Sequence, residues 1–526
     1  AALFAPDRVL EVAEWLFDHP DAPRDEALEK YGLEDSGADI RDAIADLLGF
    51  VATHPDFTTR ALSRLWQYAE EDERPTNPNP GHPRRRIQDL LKYDRNLAPG
   101  VQEATLDFIM GKLSATDRAS MPWTLDAIGV VLVRHGEANS SNSRSFTMGS
   151  FPLSPYLNSI APRRARVLST LSTLAKGARP AEAVVAVRKI AELLHQPYGL
   201  FGRNVGEEEV NAWLPEAREA TRELGQIAAS ASSLAIRYLA RKELRGLSRK
   251  HWPEVGAEAD AELAKTPAIP NELLFDIVAG MPWEEELDDW KEEQERVKSA
   301  CIRAANELWS TWKTPEALTR FLLDTRRTLS DAVDSSYANE WRLVAGIVEV
   351  APDQAAALIR ALVADGTDDG FRLVPPALDA LHRSENDADT RKFIQEFAKS
   401  PHEMLRMCVA DALRYLVGGA QSSARDLELV RPFLADESPK VRRAGIRSLV
   451  NFENTALKEA LALLVGLEWG ADLLMGEAVC DVLHSKYGLD PAALTDSQID
   501  ILLARIEGLH SLEGRSHDVF QFLGFA

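Results

Sequence analysis

Cysteine is almost missing: Cys301, Cys408 and Cys480 are the three in 526 residues. They are too few and too far apart for a disulfide framework, and none forms a Cys-x-x-Cys pair. We therefore expect a reducing, cytosolic compartment. No stretch approaches the run of about 18 apolar residues that spans a bilayer. Ala1 to Asp18 already mix acids with apolar positions, so neither a signal peptide nor a membrane anchor is expected. Positive charge is in deficit: 60 Lys+Arg stand against 82 Asp+Glu, a formal net charge of −22, which argues against general binding to a phosphate backbone. Hydrophobic residues at 45% and charged residues at 27% exclude the low-hydrophobicity signature of disorder.

Motifs of common chemistry are missing as well. No Gly-x4-Gly-Lys-Ser/Thr string occurs, so no nucleotide site can be assigned. The eleven His are scattered, with neither His-Glu-x-x-His nor Cys/His pairs at zinc spacing. No cofactor or metal is expected in this segment. The sequence opens on Ala1 rather than Met, which leads us to expect a processed product or a fragment of something longer, with a motor or effector upstream.

What the sequence has is helical periodicity. Apolar residues recur at helix spacing, as in Leu10, Ala13, Leu16, Phe17 and in Ile40, Ala43, Ile44, Leu47, Leu48, Val51, while period-two patterns are almost absent. Short turns carrying Pro, Gly, Asp or Asn separate the helices, for example His54-Pro55-Asp56 and Asp436-Glu437-Ser438-Pro439. A repeat is visible near the C-terminus. Leu405-Arg406 with Val409, Ala410, Ala412 and Leu413 is echoed 36 residues on by Val441-Arg442, Ala444, Ile446 and Leu449. Leu483 lies 34 residues beyond Leu449, and Leu381 lies 32 residues before Leu413. Helix pairs at this period have too little core of their own and are stabilised by stacking into a continuous apolar seam. The fold class expected is all-α, an α-solenoid of HEAT/armadillo-like helix pairs with a few long loops. We divide it into an N-terminal helical domain (1–160), a middle helical-repeat region (161–330) and C-terminal HEAT-like repeats (331–526). The Asp436, Val441, Arg442 pattern resembles HEAT repeats, whose Asp and Arg bond between neighbouring units.

Three stretches interrupt the helices: Arg74 to Arg86, Glu137 to Ser154 and His195 to Val205. Long loops in a helical array are often binding surfaces. The candidate partner contacts in or beside such loops are Asn77, His82, Arg84, Arg85, Arg86, Arg144, Phe146, Phe201, Arg203, Trp213 and Trp283. Trp15, Trp66, Trp309, Trp312 and Trp341 fall at helical core spacing, where packing is the default. The acidic segment Gly280 to Val297 reads as a solvated helix, and the basic clusters Arg84-Arg85-Arg86 and Arg237 to Lys250 as solvated faces with acidic neighbours.

One string invites an enzyme. Gly129 to Glu137 reads GVVLVRHGE and resembles the histidine phosphatase (phosphoglycerate mutase-like) signature. That resemblance implies His135 as phosphorus nucleophile and Arg134 as phosphate ligand, with Glu137 completing the motif. Downstream, Gly149, Pro152, Leu153 and Ser154 imitate the family's next motif, with Phe151 in place of its acid. The fold it needs is a parallel sheet flanked by helices, whereas the sequence after Ser154 is almost purely helical. We prefer a buried helix or short strand at Ile128 to Val133, capped by Gly136. A HEAT-like nucleic-acid scaffold is a further alternative, kept open by the Arg clusters and opposed by the net charge.

A wider resemblance runs through His54-Pro55-Asp56, Leu62, Trp66, Arg74-Pro75-Thr76-Asn77, Pro80, His82-Pro83, Gln88-Asp89-Leu90 and Tyr198-Gly199-Leu200-Phe201-Gly202-Arg203. In this order they resemble the helical-repeat region that follows the ATPase module in large bacterial STAND-type signalling or defence proteins. The resemblance implies a non-enzymatic sensor that binds a protein, often a foreign one, while the upstream ATPase module oligomerises and switches on an effector.

Overall fold

The computed structural model describes residues 5–18, 37–72, 82–115, 121–142, 145–177, 179–195, 206–247, 252–279, 290–330, 337–384, 387–416, 424–452, 456–468, 473–484 and 494–510. They form two compact units, Ala1–Pro270 and Asn271–Ala526. The boundary falls inside the middle segment drawn from the sequence. Helices dominate both units, and several begin on proline: Pro83, Pro99, Pro122, Pro180, Pro253 and Pro439 each occupy the first turn. Proline suits that place because its fixed φ is already helical and the N–H it lacks would have had no partner there.

In the second unit two layers of helices run side by side. One layer is Trp290–Trp312, Tyr337–Val350, Val374–Arg383, Glu403–Leu416, Pro439–Arg447 and Leu473–His484, each packed on the next. The other contains Pro315–Ser330, Ala355–Ala364, Asp387–Phe397, Ala424–Leu434, Leu457–Gly466 and Asp496–His510. The repeating leucines face the seam between layers: Leu381, Leu413, Leu449 and Leu483 are all buried. Each contributes roughly 1.5–3 kcal/mol by leaving water, and only stacking supplies the cover. The unit is an α-solenoid of HEAT-like helix pairs.

Ion pairs also tie neighbouring repeats together. Arg406 holds Asp436 with Nε–Oδ2 of 2.7 Å and Nη2–Oδ1 of 3.1 Å, as the HEAT pattern predicts. Arg360–Glu396 (3.3 Å), Arg391–Asp426 and Arg447–Asp481 (3.0 Å) repeat the theme across 34 to 36 residues. Arg406 also donates to the Ser400 carbonyl at 2.8 Å, and Arg442, one repeat later, donates to the Asp436 carbonyl at 2.8 Å. One side chain thus caps its own turn while its equivalent in the preceding repeat binds the same turn's carboxylate.

The first unit is also built of helix pairs, from Pro6–Asp18 through Pro253–Lys265. One layer stacks Gly37–Ala52, Pro83–Asp89, Pro122–Gly129, Pro180–Ala191 and Leu234–Arg245 in that order. Leu62, Leu65, Ile109, Leu125, Val187 and Leu224 are among its fully buried core. Two expectations are corrected here. Arg84-Arg85-Arg86 belong to the helix Pro83–Asp89 rather than a loop. The stretch expected as a loop from Glu137 to Ser154 holds a β-hairpin, His135–Asn142 against Ser145–Pro152, with His135 opposite Pro152. Its first strand is mostly Ser, Asn and Gly, and in the second only Phe146 and Met148 alternate, too short a period-two pattern to mark a strand. A lone hairpin is marginal, and this one is docked: Glu137 N–H donates to the Tyr93 carbonyl at 2.7 Å and Arg95 lies 4.3 Å over Phe151. Gly136 does not cap a helix. It sits within the strand, where a Cβ would collide with the Phe151 ring and the Tyr93 carbonyl.

Candidate functional site

The Arg-His-Gly-Glu string lies where the helix Pro122–Gly129 passes through the 3-10 turn Val130–Leu132 into the hairpin. A helix ending in such a turn leaves carbonyls without partners, and arginines answer them. Arg164, on Leu157–Lys176 and almost fully buried, donates to the carbonyls of Val131 (2.8 Å), Leu132 (2.8 Å) and Val133 (2.6 Å). Its other edge makes a two-point pair with Glu216 at 2.6 and 2.7 Å, and its plane lies 4.7 Å over Trp213. Tyr93 adds its hydroxyl to the Val131 carbonyl at 3.1 Å.

Arg134 is engaged in the same way. Its guanidinium donates to the carbonyls of Leu193 (2.6 Å) and His195 (2.5 Å) and stands 5.5 Å from the rings of Trp213 and Trp252. Burial pushes Arg134 down to about 10, with Glu216 opposing. A phosphate ligand would need those donors aimed at an open space, whereas here they secure the end of the neighbouring helix. His135 and Glu137 lie on the hairpin, and Glu137 pairs with Lys92 at 3.3 Å. The sheet carrying them has two antiparallel strands, not the parallel sheet that the phosphatase signature requires.

The contact candidates are placed as follows. Trp213 is fully buried, its indole N–H donating to Glu209 at 2.9 Å. His82 is fully buried and caps the helix Pro83–Asp89 by accepting the Arg84 N–H at 3.2 Å. Arg84 donates to the carbonyls of Ala69 (3.1 Å) and Asp72 (3.0 Å), with burial pushing its guanidinium down. Arg86 pairs with Asp46 at 2.5 Å, and Arg85 is exposed. Phe146 lies on the second hairpin strand opposite Ser141. Asn77, Arg144, Phe201, Arg203 and Trp283 lie outside the described residues. Trp66 packs on Trp123 as core spacing predicts, whereas Trp15 is 53% exposed.

The second unit holds a pocket of about 200 Å³ lined by three successive helices of one layer together with Arg372 from the short helix Asp368–Arg372. Its apolar walls are Trp341, Leu373, Pro375, Pro376 and Ala412, with the Cys408 sulfur between them. Glu340, Arg372 and Asp411 bring charge to it. Tyr415, half-exposed, meets Trp341 edge-on at 5.8 Å. Beneath, Arg326 joins Glu340 to Asp369, the latter at 3.0 Å. Burial pushes the Glu340 carboxyl up, Arg326 opposing, and its Oε1 is buried without a hydrogen-bond partner among the described residues. Burial also pushes the Cys408 thiol up to about 11, so it is a neutral wall atom and not a nucleophile. None of these residues was singled out as a contact, yet a signal was present: Trp341, Pro375 and Cys408 are 34 and 33 residues apart, one repeat each. Among the described residues no group of three or more His, Cys, Asp or Glu could share a metal ion.

No family model matches the chain, and no curated protein matches it. Among solved structures, a crystal structure of a Kap121p mutant is similar over 98% of this chain and 56% of its own, at 12% identity and a TM-score of 0.35. A crystal structure of an engineered protein is similar over 98% and 97%, at 14% identity and 0.27. A chain of a homology model of the full-length AP-3 complex in an intermediate open conformation is similar over 99% and 98%, at 11% identity and 0.28. This chain spans about 56% of the length of the Kap121p chain. The helical-repeat fold rests on its own stacked helix pairs and the ion-pair ladder between them.

Proposed function

We propose that this chain is a non-enzymatic recognition and scaffolding surface, the target-sensing part of a larger bacterial STAND-type ATPase in antiviral defence or signalling. The observation that carries the recognition role is the pocket over three successive repeats, where aromatic, proline and charged side chains converge outside the packed seam. Repeat arrays bind proteins through such faces by extended complementarity and need no catalytic set or cofactor. The commitment of the Arg134 donors to backbone carbonyls favours this reading over a phosphomonoesterase. The bonding of Arg84 and Arg86 within the fold favours a protein partner over nucleic acid. Among the described residues no helix is long and apolar enough to cross a membrane, and the scarcity of cysteine supports a cytoplasmic setting. The partner is a protein, foreign in the defence reading, and oligomerisation falls to the ATPase module upstream.

The test is the gene upstream of the Ala1 codon. A Gly-x4-Gly-Lys-Ser/Thr motif there, and ATP hydrolysis by the full-length protein that rises with a protein trigger, are the expected results. An upstream region without that motif overturns the ATPase context.

A further inference from the structure

The geometry points to a specific occupant for the pocket at Trp341: one lysine or arginine side chain from an extended segment of a protein partner. This rests on the recognition reading and names the chemistry that reading leaves open.

Size comes first. A cavity of about 200 Å³ lies below the range of roughly 300–1,000 Å³ usual for small-molecule sites, and it suits a single side chain. Its walls suit a long one. Trp341, Pro375, Pro376 and Ala412 present apolar surface to an aliphatic stem, and an indole face attracts a cation.

Charge selects the end group. Glu340 lines the pocket, is 3% exposed, and has one carboxylate oxygen with no donor among the described residues. A buried acceptor left so is costly, and a charge-assisted N–H is the strongest donor it can be given. The pocket lining itself carries two carboxylates, Glu340 and Asp411, and one guanidinium, Arg372. Arg326 pairs with the other oxygen of Glu340, and Arg414 lies 3.3 Å from Asp411. A neutral apolar side chain would fill the walls and leave the Glu340 oxygen unanswered.

The experiment uses the full chain labelled with 5-fluorotryptophan, the Trp341 fluorine signal being assigned by its loss in Trp341→Phe. The probes are two capped peptides, alanine-arginine-alanine and alanine-norleucine-alanine, of nearly equal length and apolar bulk. The arginine peptide is expected to shift the Trp341 signal saturably and the norleucine peptide is not. Glu340→Gln should weaken the arginine peptide about tenfold, the loss expected for one hydrogen bond to a charged group. Glu340 is buried, so Asp411→Asn, at the more exposed side of the pocket, supplies the check if Glu340→Gln does not fold: it should weaken the same peptide and leave the melting temperature in place. Equal shifts with both peptides make the pocket merely apolar and overturn the proposal, as does no shift with either. A pocket that fails while the full-length protein still answers a protein trigger removes this inference alone. A pocket that responds while the upstream motif is missing removes the ATPase context alone.

Discussion

Arg406 grips Asp436 at two points, 2.7 and 3.1 Å, with both side chains buried between one helical repeat and the next. A bidentate pair of this kind fixes direction as well as distance, so it sets how one helix pair stacks on its neighbour.

Removing one partner of that pair leaves a buried charge unanswered. Arg406→Ala is expected to lower stability by about 3 kcal/mol. Arg360→Ala, which breaks the exposed Arg360–Glu396 pair, should change it by no more than about 0.5 kcal/mol. Urea unfolding followed by circular dichroism measures both, and equal losses would deny the ladder its role.

Arg164 should matter as much in the first unit. Arg164→Met removes the donors to the carbonyls of Val131, Leu132 and Val133 and leaves Glu216 without its two-point partner, with Arg134 at 4.0 Å. A loss of about 3–5 kcal/mol is expected, read from the same unfolding curves.

The phosphatase signature makes a clear alternative. Hydrolysis of para-nitrophenyl phosphate is expected to stay at the buffer rate and to be the same in His135→Ala. Turnover that disappears with His135 would return the site to enzymology.

Burial holds the thiols of Cys301 and Cys408 up at about 11. At pH 8 such a thiol is roughly 0.1% thiolate, against about a quarter for an ordinary one near 8.5. Alkylation by iodoacetamide, resolved by mass spectrometry, should be about 200-fold slower at both positions in the native protein than in urea. The unfolded chain loses these protons first, so these groups lower stability as pH rises from about 8.5 towards 11.

Close packing makes one glycine irreplaceable and leaves another free. A Cβ at Gly370 would lie 2.5 Å from the Leu362 carbonyl oxygen, while one at Gly100 would meet nothing within 4 Å. Gly370→Ala should cost about 1–3 kcal/mol and Gly100→Ala within about 0.5 kcal/mol of zero. Thermal melts of the two variants separate them.

Much of the second unit was legible because its signals are local and periodic. Leu381, Leu413, Leu449 and Leu483 recur at 32 to 36 residues and are all buried, and the Asp436 pattern marks a turn that the preceding repeat does bind. The hairpin was not legible, because its first strand is mostly Ser, Asn and Gly, the alternation in its second is confined to Phe146 and Met148, and it is held by the Tyr93 carbonyl and Arg95 from elsewhere. Trp213 reads as a surface residue beside a loop, yet two arginines far along the chain stack on it. Trp341 reads as core, yet it lines a pocket with residues from the following repeats.

By itself the sequence determined the helices, their period and the residues that bury between them, since those follow from hydrophobic spacing within about one turn of chain and one repeat of pattern. Only the tertiary structure decided which arginines cap carbonyls rather than wait for a ligand, and which side chains of separate repeats meet around a cavity. Those outcomes depend on distances between residues 30 to 70 positions apart, which stacking geometry sets and local pattern does not encode.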